Sequence, residues 1–167
     1  MFMKTISRVL VSLVLVATAG IASAQTAAKD FYVEGGLLGL KFKANNTVDT
    51  PKLARFIVGK EISANLAVEA MGAFTVEKAD GLSANELGVF AKPKMLVAKD
   101  TNAFIRVGAA RTGAGGSGSG HITRAAYGFG VETQLTKDVY GQIDYMHYAK
   151  SGDLNVRGFT VSVGTRF

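Results

Sequence analysis

Charged residues stand in the middle of strand-like segments, each time opposite an apolar stripe, along almost the whole chain. From Lys29 onward the sequence divides into eight stretches with period-two patterning, separated by turn chemistry: 30–42, 52–60, 66–77, 85–96, 103–112, 122–135, 139–149 and 154–167. In the third, Leu66, Val68, Ala70, Phe74 and Val76 oppose Glu69, Thr75 and Glu77. In the fifth, Ala103, Ile105, Val107 and Ala109 oppose Arg106; in the sixth, Tyr127, Phe129 and Val131 oppose Arg124, Glu132 and Gln134. The seventh sets Val139, Ile143 and Tyr145 against Gln142 and Asp144. The second and fourth set Ala54, Phe56 and Val58 against Arg55, and Leu87, Val89 and Ala91 against Glu86 and Lys92. The first is the weakest, with Glu34 among Tyr32, Leu38 and Leu40. An even number of such strands suits an antiparallel up-and-down barrel.

The alternation alone fits two opposite objects. A soluble barrel turns the charges out and the stripe in; a membrane barrel does the reverse. The chain ends break this symmetry. Lys4 and Arg8 precede an apolar stretch over 9–22 and a small-residue site, Ala22-Ser23-Ala24. That is the layout of an export signal, too short for the roughly 20 apolar residues of an anchor. We therefore expect residues 1–24 to be removed and a barrel domain over 25–167. At the other end Phe159, Val161, Val163 and Phe167 share one parity, and Thr160, Ser162, Gly164 and Arg166 the other. Such a stripe at a chain terminus suits lipid better than water.

Charge balance points the same way. The polar faces carry Glu34, Glu69, Glu86, Glu132 and Asp144 against Arg55, Lys92, Arg106, Arg124 and Arg166. A narrow closed interior needs such a balance, because buried charges must be paired. With eight strands the interior holds side chains and little else, which implies a packed polar network and no pore. Glycines inside the strands are expected to make room for the long Arg and Glu side chains. Tyr32, Phe42, Phe74, Tyr140, Tyr148 and Phe167, near strand ends, are expected to form interfacial girdles. The connections after the second, fourth and sixth strands are tight; those after the first, third and fifth are longer, the last being the Gly/Ser run 113–120.

Composition removes several alternatives. There is no Cys, so disulfides cannot stabilise an exported chain and no thiol follows the signal to carry a lipid anchor. Without Lys4 and Arg8, 17 of the 19 basic residues remain against 13 acidic, and they do not cluster. A nucleic-acid partner would need a basic stripe with interleaved aromatics. Two isolated histidines make no metal site, and no cofactor is expected. The Gly/Ser run lacks the Lys-Ser/Thr ending of a phosphate loop.

Tyr127-Gly128-Phe129-Gly130-Val131-Glu132, the turn 135–138, Gln142-Ile143-Asp144-Tyr145 and the ending 158–167 resemble the late strands of small outer-membrane barrels of the OmpA/OmpX type. The resemblance implies insertion by the outer-membrane barrel-assembly machinery, which reads a last strand such as Phe159, Val161, Val163 and Phe167. It implies a barrel without the periplasmic peptidoglycan-binding domain that OmpA itself carries. Some barrels of this size are lipid A deacylases with a His and a Ser two residues apart. Here His147 is followed at that spacing by Ala149, and a nucleophile needs its base within hydrogen-bond reach. The expectation is thus an all-β, eight-stranded transmembrane barrel with a charge-paired interior. It is a monomer in outer-membrane lipid with a structural or surface-interaction role. The rivals are a small-solute or ion pore, a lipid-modifying enzyme, and a soluble periplasmic barrel that binds a lipid inside.

Overall fold

The computed structural model describes residues 30–44, 47–115 and 120–167. The expected signal segment, 1–24, lies outside them, as does the middle of the Gly/Ser run. Nine strands follow in order: β1 (Phe31–Ala44), β2 (Thr47–Asp49), β3 (Lys52–Ser63), β4 (Leu66–Glu77), β5 (Ser83–Ala98), β6 (Thr101–Gly115), β7 (Gly120–Gln134), β8 (Val139–Ser151) and β9 (Leu154–Arg166). All pairings are antiparallel, and β1 also pairs with β9, which closes the sheet into a ring. Through the middle of the ring closure pairs every stave on both sides, a condition for strands that cross lipid; beyond it β2 and residues 120–126 of β7 have one strand neighbour each.

Nine strands make eight staves. Phe42 faces Asp49 and Gly39 faces Lys52 in one continuous register along β1, so β2 and β3 are a single stave interrupted at Thr50-Pro51. Pro51 cannot donate to the ladder, yet its carbonyl still accepts from the Leu40 N–H at 3.0 Å. The polar stretch 43–51, expected as a loop, is therefore mostly hairpin. Elsewhere too the strands outrun their expected limits: β5 reaches Ala98 and β6 reaches Gly115. Backbone pairing needs no side-chain alternation, so the ladders continue past the point where the apolar stripe stops. The expected contrast between short and long connections largely disappears as a result. On the rim of the termini the turns are Ala64-Asn65, Lys99-Asp100 and 135–138; on the far rim 152–153 is equally short. At 79–82 Asp80 (φ 47°) and Gly81 (φ 80°) are both left-handed. Ala79 and Leu82 bridge across them, the tight turn that suits a twisted hairpin.

The charges point in and the stripe points out. Leu87, Val89, Ile105 and Phe129 are more than half exposed on the outer wall, whereas Arg55, Arg106 and Glu86 are buried. A soluble barrel would show the opposite. The first strand follows the same rule: Tyr32, Glu34, Leu38, Leu40 and Phe42 all lie inside.

Two expectations about side chains are corrected. Tyr32, Phe42, Tyr140 and Tyr148 form no girdle, being buried in the interior; of the six residues named, Phe74 stands outward and Phe167 is half-buried. Period-two position, not closeness to a strand end, sets the side of the wall. The glycines make room chiefly for rings. Tyr32 faces Gly59 and Tyr140 faces Gly164 across neighbouring strands. A Cβ at either glycine would overlap the ring carbon Cζ. Each tyrosine thus lies flat over a position that no other residue could occupy.

Candidate functional site: the charged interior

Eight of the ten charges expected inside are buried: Glu34, Arg55, Glu69, Glu86, Lys92, Arg106, Glu132 and Asp144. Arg166 is half-buried at the rim of the termini, its guanidinium 2.9 Å from Glu132. Arg124 is a correction. It has the inward parity, but β7 rises past the closed interior there, and the side chain is exposed, donating to the Thr123 carbonyl and to Ser151 Oγ.

Arg106 organises the centre. Projecting from β6, its Nε and Nη2 donate to Glu69 of β4 at 2.5 and 3.1 Å. Nη1 lies 3.1 Å from Asp144 of β8, and Nη2 lies 3.6 Å from Glu34 of β1. One guanidinium therefore spans the ring. Arg55 forks onto both Asp144 oxygens at 2.8 and 2.5 Å and reaches Glu34 at 3.0 Å. The planar fork suits this bidentate grip, which an ammonium could not copy. Lys92 instead donates to Glu132 (2.7 Å) and the Gln142 amide oxygen (2.8 Å), and lies 4.4 Å from the Phe104 ring centre. Neutral groups add further donors. Tyr32 donates to Glu69, while Gln142 and Ser162 donate to Glu34.

Sequence reasoning misses two members. The pattern places Glu61 in a turn, yet Lys94 Nζ holds it at 2.5 Å and also approaches Glu132 at 3.8 Å. Lys94 shares the parity of Lys92 across Pro93, and that signal could have found it. With these two, the connected cluster holds five acids (Glu34, Glu61, Glu69, Glu132, Asp144) and five cations (Arg55, Lys92, Lys94, Arg106, Arg166). Glu86 stands apart. Its carboxylate oxygens accept only the Thr112 hydroxyl, 2.9 Å from each, and no ion pair among the described residues includes it.

On the outer wall Phe159, Val161 and Val163 face away from the interior. Phe167 is half-buried, and its N–H donates to the Phe31 carbonyl. His147 also faces outward, with Nε2 3.1 Å from Asn155 Oδ1 and its ring 5.1 Å from that of Tyr127.

The outer membrane protein beta-barrel domain family matches residues 9–167 of the chain. The chain belongs to this family. Solved barrels share its shape. The attachment invasion locus protein Ail of Yersinia pestis superposes with a TM-score of 0.65 at 20% identity, covering 83% of this chain and 98% of Ail. Neisserial surface protein A superposes at 0.66 with 16% identity, over 86% of this chain and all of that protein. The N-terminal barrel domain of Pseudomonas aeruginosa OprF gives 0.58 at 12% identity, over 81% and 97%. Ail has also been solved with the heparin analogue sucrose octasulfate. No curated protein matches the chain significantly. At these identities the likeness shows the fold, and the interior has to be read from its own residues.

Proposed function

We propose that the protein is exported through its first 24 residues to the outer membrane of a Gram-negative-type cell. It serves there as a monomeric structural and surface-interaction barrel, neither a pore nor an enzyme. The observation that carries this reading is Arg106. It crosses the interior and engages carboxylates from three other staves, so the half of the lumen toward the termini is filled with paired charge where a pore would need water. A lipid-modifying role has no support around His147, whose side-chain contacts among the described residues are Asn155 and Tyr127; a hydroxyl nucleophile within its reach is what acyl transfer would need. The outward stripe Phe159, Val161, Val163 and Phe167 supports recognition by the barrel-assembly machinery.

Purified protein in planar bilayers should show no conductance above the lipid baseline, and Glu132→Gln should leave that unchanged. Discrete channel openings would sink the closed-lumen reading and favour the pore. Folding in detergent micelles, read as heat-modifiable gel mobility, tests the membrane reading separately. A monomer folded in plain buffer would overturn it.

A further inference from the structure

The outer wall carries a cationic patch without an ion-pair partner among the described residues, and its position is set by register. Along the far third of β7, β8, β9 and β1 a single outward row reads Tyr127, His147, Arg157, Lys41. The row beneath it reads Phe129, Tyr145, Phe159, Gly39, so Arg157 stands directly above Phe159 and His147 above Tyr145, with Lys41 above Gly39. The row above places Lys150 and Lys43 on either side of Asn155. Neighbouring strands are about 5 Å apart, so Arg157 and the two lysines of β1 lie within the width of one phosphate group and its hydration shell.

Three details set this patch apart from a solvated charged face. Lys41, Lys43, Lys150 and Arg157 are exposed, and none has an ion pair among the described residues. By contrast Lys52, on the next stave, is neutralised by Glu77 at 2.9 Å. The patch is also oriented. Asn155 Oδ1 accepts from Arg157 Nε at 2.9 Å and lies 3.1 Å from His147 Nε2. Neither terminal nitrogen of Arg157 donates a hydrogen bond among the described residues, so its fork stays open. Finally, the level is right. Aromatic side chains concentrate where acyl chains meet headgroups, and a cation one row further out stands at the depth of lipid phosphate.

We infer that Lys41, Lys43, Lys150 and Arg157, with Asn155 as positioning residue, bind the phosphate of a lipid headgroup against the β8–β9–β1 wall. The lipid is a phosphorylated glycolipid of the leaflet at the rim away from the termini. The inference rests on the membrane reading above. Arg157 supplies the fork, the lysines supply point charge, and the Phe129–Tyr145–Phe159 row receives the first acyl carbons.

The test is native mass spectrometry of the full chain folded in neutral maltoside micelles, titrated with bisphosphorylated lipid A. Wild-type protein should retain bound lipid. Each cation removed should weaken binding about fivefold, so Lys41→Gln with Arg157→Gln should lose about twenty-five-fold. Asn155→Ala should weaken binding severalfold, and Arg111→Gln on the opposite wall should change it less than twofold. Dephosphorylated lipid A should bind no better to wild type than bisphosphorylated lipid A binds to the double variant. Unchanged binding by a double variant with folded gel mobility overturns the inference, as does equal retention of the dephosphorylated lipid. Competition by millimolar inorganic phosphate alone, or tighter binding of sucrose octasulfate than of lipid A, would show a free-anion or sulfated-glycan site and overturn it too. Should the double variant not fold, Lys41→Gln and Arg157→Gln are read singly at fivefold each. Failure of the wild-type chain to fold in micelles strikes the membrane reading itself.

Discussion

The two halves of the interior solve burial in opposite ways. Toward the termini the space is filled by ten charges in one connected cluster. Toward the far rim it is filled by Leu38, Leu40, Phe42, Leu53, Met71, Met146, Tyr148 and Val156. The apolar half asks only for volume, and neighbouring residues of similar size could trade places at modest cost. The charged half asks for partners, since each carboxylate left without its cation keeps the full penalty of burial. The charged half therefore specifies one ring register, while the apolar half tolerates several. Glu86 breaks the pattern, a buried acid whose one side-chain partner among the described residues is Thr112.

Removing the central cation should have the largest effect. Arg106→Met leaves Glu69, Asp144 and Glu34 short of positive charge and should destabilise the barrel by about 3–5 kcal/mol. Denaturant unfolding in lipid vesicles, followed by gel mobility, measures it. Adding Glu69→Gln should recover part of that loss; a further loss would mean the network acts through shape and not charge. In the apolar half Leu53→Ala should lower stability by about 2–4 kcal/mol through the cavity it opens. A smaller loss would show that this half collapses readily. Glu86→Gln should hold stability constant or raise it by up to about 1 kcal/mol, because the amide carbonyl keeps the Thr112 bond without a buried acid. A large loss would reveal an ionised Glu86 with a function in the interior. Smallest of all, Lys52→Gln removes an exposed pair to Glu77 and should change stability by no more than about 0.5 kcal/mol, less in high salt.

Much of this is legible in the chain because β-structure encodes sides by parity. Glu69 against Val68 and Ala70, or Arg106 against Ile105 and Val107, reads as in against out with no other information. The readings that fail do so where parity carries no contrast. β1 is apolar on both faces because its upper inward residues, Leu38 and Leu40, meet the apolar half. Tyr32 and Tyr140 mislead because a ring near a strand end suits a headgroup as well as it suits a glycine across the ladder. Arg124 has the right parity but stands too high, and height along a stave depends on shear, which no single strand records. Glu61 reads as a turn residue because β3 continues pairing after its apolar stripe has ended.

Sequence alone determined that eight alternating staves must close, with charge on one side and hydrocarbon on the other, because unpaired strand edges and unpaired buried charge are both too costly in lipid. Which charge meets which was decided by the ring. Arg106 and Asp144 are 38 positions apart and Arg55 and Asp144 are 89 apart, and they meet only because closure and stagger bring three staves, β3, β6 and β8, to one level. The same closure set Lys41 beside Arg157, ends of the chain that nothing local in the sequence connects.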